Sequence, residues 1–163
     1  MPLFIYEDLV EKNVKTIASH TRRKIMAVVK SDAYGLSTKK MIPLLKKANI
    51  DFFVFETYSE YLKCQNLLRD KRVLILESTP ISLMQNAPNN VAFSMNSIID
   101  AIKVKDIQNK ITIHLRVDTG MNRQGIRNVE ELKKILTLFK TNENILVEGL
   151  YTHFSSDVFE SKY

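Results

Sequence analysis

Short apolar runs alternate with stretches of helical period along nearly all of this 163-residue chain. Tyr6, Val10, Val14 and Ile17 recur at three- and four-residue intervals, which predicts a first helix. Residues 24–31 read as the first strand, 51–56 (DFFVFE) as the second and 72–77 (RVLILE) as the third. Residues 91–94, 111–117 and 145–151 supply three more. Helices are expected between them. One follows Ser37 as cap, with Pro43 kinking it or delaying its start. Others cover 59–68, 80–85 and 97–104, and a last one carries Leu132, Ile135, Leu136 and Phe139 behind Asn128 and Glu131 at capping-box spacing. Strands that are apolar almost throughout mark parallel strands buried on both faces. Strand–helix alternation makes the class α/β.

Two strands break the apolar rule at places where chemistry is expected. AVVKSDAYG (residues 27–35) ends an apolar run in Lys30, then opens into a turn with Asp32, Tyr34 and Gly35. Met26, Val28 and Lys30 share one face, so Lys30 is expected at the carboxyl end of a buried strand, where α/β folds keep their sites. A desolvated lysine has a lowered pKa and can attack a carbonyl. In the fifth strand Thr112, His114, Arg116 and Asp118 share one face and Ile111, Ile113, Leu115 and Val117 the other. The polar set is expected to face the interior, with His114 in a structural layer and Arg116 and Asp118 near the site.

Composition narrows the partners. A hydrophobic fraction of 45% and a charged fraction of 26% are ordinary for a globular protein. The net charge is +6, but the densest basic cluster, Arg22, Arg23 and Lys24, is short and reads as a solvated turn, so no nucleic-acid partner is expected. A basic balance suits an anionic cofactor. Cys64 is the single cysteine; it sits among Tyr61, Leu62, Leu67 and Leu68 and reads as core packing in a reducing compartment. No apolar run reaches membrane-spanning length, and MPLFIYEDLVEKN lacks the form of a signal peptide. The expectation is a cytoplasmic protein without a membrane partner.

Three segments occur in order: AVVKSDAYG, RVDTGMNRQG (116–125) and YTHFSSD (151–157). Together they resemble the alanine racemase family, whose N-terminal domain is a pyridoxal-phosphate barrel. The resemblance covers essentially the whole chain. It implies a partial (β/α)8 TIM-type barrel, because a complete one needs roughly 250 residues. Residues 1–163 would then be the N-terminal part, with the rest of the barrel and a C-terminal β domain absent. The same resemblance implies that Lys30 binds pyridoxal 5'-phosphate covalently and serves as the catalytic base on the D side. Tyr34 would reach the phosphate, Arg123 the phenolic oxygen and the substrate carboxylate, and His153 would lie beside the ring. No metal is implied.

The activity implied is interconversion of L- and D-alanine, supplying D-alanine for the cell wall, by a homodimer in the full-length enzyme. The opposite-face base is a tyrosine of the partner's C-terminal domain, so the chain alone is expected to be inactive. Alternatives are a non-catalytic single-barrel pyridoxal-phosphate carrier, or a racemase for serine, lysine or ornithine. One departure stands out. Many members carry a carbamylated lysine where this chain has Arg116, which makes Asp118 or an inorganic anion the expected counter-charge.

Overall fold

The computed structural model describes residues 3–155. Two compact units divide the chain, Met1–Leu76 and Glu77–Tyr163. The first contains α1 (Glu7–Thr21), β1 (Met26–Val28), a short helical segment α2 (Lys30–Tyr34), α3 (Thr38–Lys47), β2 (Phe52–Phe55), α4 (Tyr58–Leu62), a 3₁₀ turn (Gln65–Leu67) and β3 (Arg72–Ile75). The second contains α5 (Ile81–Met84), β4 (Val91–Met95), α6 (Ile98–Val104), β5 (Ile111–Val117), α7 (Val129–Lys140) and β6 (Ile145–Thr152).

Each unit is built on parallel strands in chain order. In the first, Val28 stands opposite Val54 and Val54 opposite Leu74. Phe53, Phe55, Val73 and Ile75 are completely buried there, with Ile42 of α3 and Leu68 closing the core. Full burial of one such side chain is worth about 1.5–3 kcal/mol, so these few residues dominate the unit's stability. In the second, every residue of β4 is buried, as are Ile113 and Leu115 of β5 and Ile135 and Phe139 of α7.

Several expectations need correction. The first strand ends at Val28, because Val29 leaves the extended region (φ −120°, ψ 21°) although its N–H still bonds Val54 O at 2.8 Å. Lys30 therefore lies beyond the strand. The stretch 59–68 is two pieces, since Cys64 (φ −136°) is not helical. Ser37 has φ 71° and makes no side-chain cap. The Thr38 N–H at that helix start is taken instead by Asp32 Oδ1 at 2.7 Å. Asn128 does accept from Glu131 N, but the Glu131 carboxylate turns to Ile98 N, so only half of the expected box forms. Nor are all strands buried on both faces: Met26 and Val28 of β1, and Leu146 and Leu150 of β6, remain exposed.

Candidate functional site

In the first unit the site begins with a conformation that L-residues avoid. Ser31, Asp32, Ala33 and Tyr34 have φ between 52° and 55°, one turn of left-handed helix, and Gly35 follows at φ 83°. Left-handed residues cost about 1–2 kcal/mol each, so the four together store about 4–8 kcal/mol. Of the four, only Asp32 has a side chain that tolerates this region, so the surroundings hold it. Ala33 is buried and its N–H bonds Val29 O at 2.9 Å. Gly35 N reaches Ser31 O at 3.1 Å, Ser37 N reaches Asp32 O at 3.0 Å, and Asp32 Oδ1 accepts from Thr38 N. That last bond, with a second from the Thr38 side chain, pulls the Asp32 carboxyl below its ordinary range.

Lys30 stands at the entrance to this turn. The expectation of a desolvated amine is corrected: its side chain is 29% exposed and Nζ donates to Glu56 Oε2 at 2.7 Å. Glu56 lies just past β2, the strand that neighbours β1. Tyr34, four residues on, is 64% exposed, with its phenol toward solvent. Lys30 and Tyr34 are thus the two predicted site residues that one local turn connects.

In the second unit the loop after β5 presents Arg123. This loop is closed by its own first residue. Asp118 Oδ1 accepts from Gly120 N and Asn122 N, both at 3.0 Å, and those bonds draw the carboxyl below its ordinary value. Ile126 N bonds Arg116 O and Asp118 N bonds Ile126 O, zipping the far end back to β5. Gly125 (φ 127°) makes the return possible: a Cβ there would lie 2.7 Å from Asp118 N. Arg123 is exposed at the tip and makes no hydrogen bond or ion pair among the described residues. His153 lies exposed just past β6, while Ser156 and Asp157 of the YTHFSSD segment fall outside the described residues.

The polar face of β5 is real, and a bulge shapes it. Ile113 pairs with Val147 but His114 with Gly149, so Glu148 is the extra residue of β6. His114, buried, meets Glu148 Oε2 at 3.0 Å through Nε2, the structural role expected of it. Its ring occupies the space a Cβ on Gly149 would need, 2.6 Å from Nδ1. Ser94 Oγ bonds Tyr151 OH at 2.6 Å on the same layer. Arg116 is 5% exposed and donates from Nη1 to Gln124 Oε1 at 2.7 Å. Its buried Nε makes no hydrogen bond among the described residues. Asp118 is not its counter-ion; that carboxylate serves the loop amides and faces Arg127 at 3.7 Å.

Three contributors escaped sequence reasoning: Glu56, Glu60 and Gln124. Glu60 had a signal, because Thr57 and Glu60 stand at capping-box spacing and both halves of that box form. Glu56 and Gln124 had none, since only the fold brings them to Lys30 and Arg116. Cys64 is core, as expected, and burial pushes its thiol up to about 11.

Comparison with known proteins shows the family and the fold. The family model described as "Alanine racemase, N-terminal domain" matches residues 5–161. An alanine racemase of Staphylococcus carnosus is 28% identical over 163 residues, covering 94% of this chain and 42% of that protein. Among solved structures, the alanine racemase from Bacillus anthracis with bound L-Ala-P is 25% identical with a TM-score of 0.82, covering 94% of this chain and 43% of that one. A histidine racemase from Leuconostoc mesenteroides subsp. sake has a TM-score of 0.83 at 22% identity, covering 92% of this chain and 42% of that one, and shares the fold. The chain thus spans 37–42% of the length of the curated relatives it matches. The fold is part of a (β/α)8 barrel, with parallel strands alternating with helices, as the sequence predicts.

Proposed function

We propose, from the premise that this chain belongs to the alanine racemase N-terminal domain family, that it contributes the lysine-bearing part of a pyridoxal-phosphate amino-acid racemase. The observation that carries the reading is Lys30 itself. A primary amine is held at 2.7 Å from Glu56 at the mouth of a four-residue left-handed turn. Strain of that size is maintained where a side chain must be aimed.

The donor set fits the cofactor's chemistry. An amine suits an aldehyde, a phenol suits a phosphate, and a guanidinium suits an anionic oxygen or carboxylate. We assign these tasks to Lys30 and Tyr34 of the first unit and to Arg123 of the second, with His153 for contact with the ring. Pyridoxal phosphate, when bound, supplies an electrophilic carbon and a ring that withdraws electrons from the substrate's Cα. Lys30 then acts through Nζ. Its proton partner is in place, because Glu56 Oε2 accepts the N–H at hydrogen-bond distance. A racemase must take a proton from one face of Cα and return one to the other, and Lys30 supplies one of those two bases. Arg123, free of protein partners among the described residues, is open to an anionic group of substrate or cofactor.

Alanine is the proposed substrate, in a cytoplasmic homodimer of the full-length kind. No helix among the described residues is long and apolar enough to cross a membrane. The test combines the chain with pyridoxal phosphate and follows racemisation of alanine, serine, lysine and ornithine by chiral chromatography. Borohydride reduction and peptide mapping run in parallel. A pyridoxyl group on Lys30 of the chain, and turnover confined to alanine in a full-length enzyme containing it, are expected. A pyridoxyl group located elsewhere overturns the assignment of Lys30, and turnover of another amino acid alone overturns the substrate.

A further inference from the structure

We propose that Glu60 is a positioning residue for Lys30, acting through the first peptide of the left-handed turn. The inference rests on the reading of Lys30 as the cofactor-binding amine. Glu60 Oε1 accepts from Ser31 N at 2.9 Å, the N–H directly after Lys30. Its other oxygen, Oε2, accepts from Glu56 N at 3.0 Å and Thr57 N at 3.4 Å. One carboxylate therefore grips two chain segments. One segment carries the amine; the other carries Glu56, whose Oε2 receives that amine at 2.7 Å. The capping box with Thr57 fixes the Glu60 backbone, because Glu60 N bonds Thr57 Oγ1 at 3.1 Å. Lys30 and Glu56 are held in register by a residue that makes no hydrogen bond or ion pair with either side chain.

The geometry assigns Glu60 more than a helix cap. Capping α4 requires only the bonds of Oε2. The bond from Ser31 adds nothing to α4, and it ties down the peptide at which the backbone turns left-handed. Ser31 has φ 52°, and its N–H has this carboxylate as acceptor instead of a helical carbonyl. A charged acceptor gives a stronger bond than a neutral one, as the strain beside it demands.

Hydrogen exchange and cofactor capture test this on the whole chain. In Glu60→Ala the Ser31 amide should exchange roughly tenfold to a hundredfold faster, the range for loss of a hydrogen bond to a charged acceptor. Amides of β2 and β3 should keep their rates. Capture of pyridoxal phosphate at Lys30, read as borohydride-fixed pyridoxyl on the mapped peptide, should slow in the same variant. Thr57→Ala removes half of the cap but spares the Ser31 bond, and should leave both readouts near wild type. Glu60→Gln keeps one acceptor oxygen and should fall between. Equal effects of Glu60→Ala and Thr57→Ala, or an unchanged Ser31 amide in Glu60→Ala, overturn the proposal. Absence of pyridoxyl from Lys30 in the unaltered chain would instead defeat the cofactor reading, and the Ser31 exchange rates would still decide whether Glu60 holds the turn.

Discussion

Two turns carry the candidate chemistry, and they are held in opposite ways. The turn of Lys30–Tyr34 has four non-glycine residues in the left-handed region, and its restraints come partly from a distance. Glu56 and Glu60, from the end of β2 and from α4, reach across to it. The loop after β5 closes mostly on itself, with one remote tie, Thr119 Oγ1 to Thr152 Oγ1 at 2.7 Å. Asp118 caps its own following amides, Asn122 and two glycines take the positive φ values, and Ile126 zips the end to the strand. The first arrangement stores strain and aims a side chain. The second is relaxed and presents Arg123 at an exposed tip. A turn that must fix one amine takes its main support from outside; a loop that offers a charge to an incoming anion takes most of its support from its own closure.

The comparison breaks most visibly at Lys30. Lys30→Ala should abolish pyridoxyl labelling of the chain, an all-or-none change, whereas Arg123→Ala should weaken cofactor capture without moving the label. Peptide mapping after reduction reads both. Labelling of Lys30→Ala at full yield would show that the strained turn aims nothing.

Glycine substitutions sharpen the contrast in stability. Gly125→Ala combines φ 127° with a Cβ placed 2.7 Å from Asp118 N, and backbone cannot step aside. The expected cost is about 2–4 kcal/mol, seen as a lower urea midpoint. Gly35→Ala meets nothing within 4 Å and has only its φ of 83° to bear. It should cost about 1 kcal/mol. Comparable losses at the two positions would mean that the loop after β5 is not self-closed in solution.

The regular elements were legible in the sequence because they follow from local pattern. The apolar runs at 52–55, 72–75, 111–117 and 145–152 became strands within a residue or two of expectation. The polar face of β5 followed from alternation alone. What escaped was set by tertiary geometry. The run AVVK reads as strand, yet the chain leaves the extended region at Val29 and is left-handed from Ser31. Ser37 has the chemistry of a cap, but Asp32 is better placed to reach Thr38 N. The bulge that brings Glu148 to His114 leaves no periodic trace, although Gly149 hints at the close approach that needs it. Of the candidate site, Lys30, Tyr34, Arg123 and His153 were visible through segment resemblance. Glu56, Glu60 and Gln124 emerged only from the fold.

Acid offers the mildest test, because each turn also contains an aspartate held below its ordinary value. Asp118 is held below its ordinary value of 3.8 by the amides of Asn122 and Gly120, and Asp32 below 3.8 by the amide and side chain of Thr38. A carboxyl whose folded value is depressed binds its proton more readily in the unfolded chain. Its contribution is therefore complete above 3.8 and fades as the pH falls through the lower folded value. Carboxyl ¹³C titration by NMR should show both midpoints below 3.8. Lowering the pH through that window should then release the amides of Gly120 and Asn122 on one side and Thr38 on the other. The two turns should respond differently to that release. Protonation of Asp118 opens the loop, because no residue outside it replaces those bonds. Protonation of Asp32 leaves Ala33 N on Val29 O and Gly35 N on Ser31 O, bonds that do not titrate, so the left-handed turn should keep its protection to lower pH. Asp118→Asn keeps an acceptor oxygen without the titration, and should hold the loop amides across the same window. If both turns open together, the main-chain bonds do not hold the first, and the contrast between them fails.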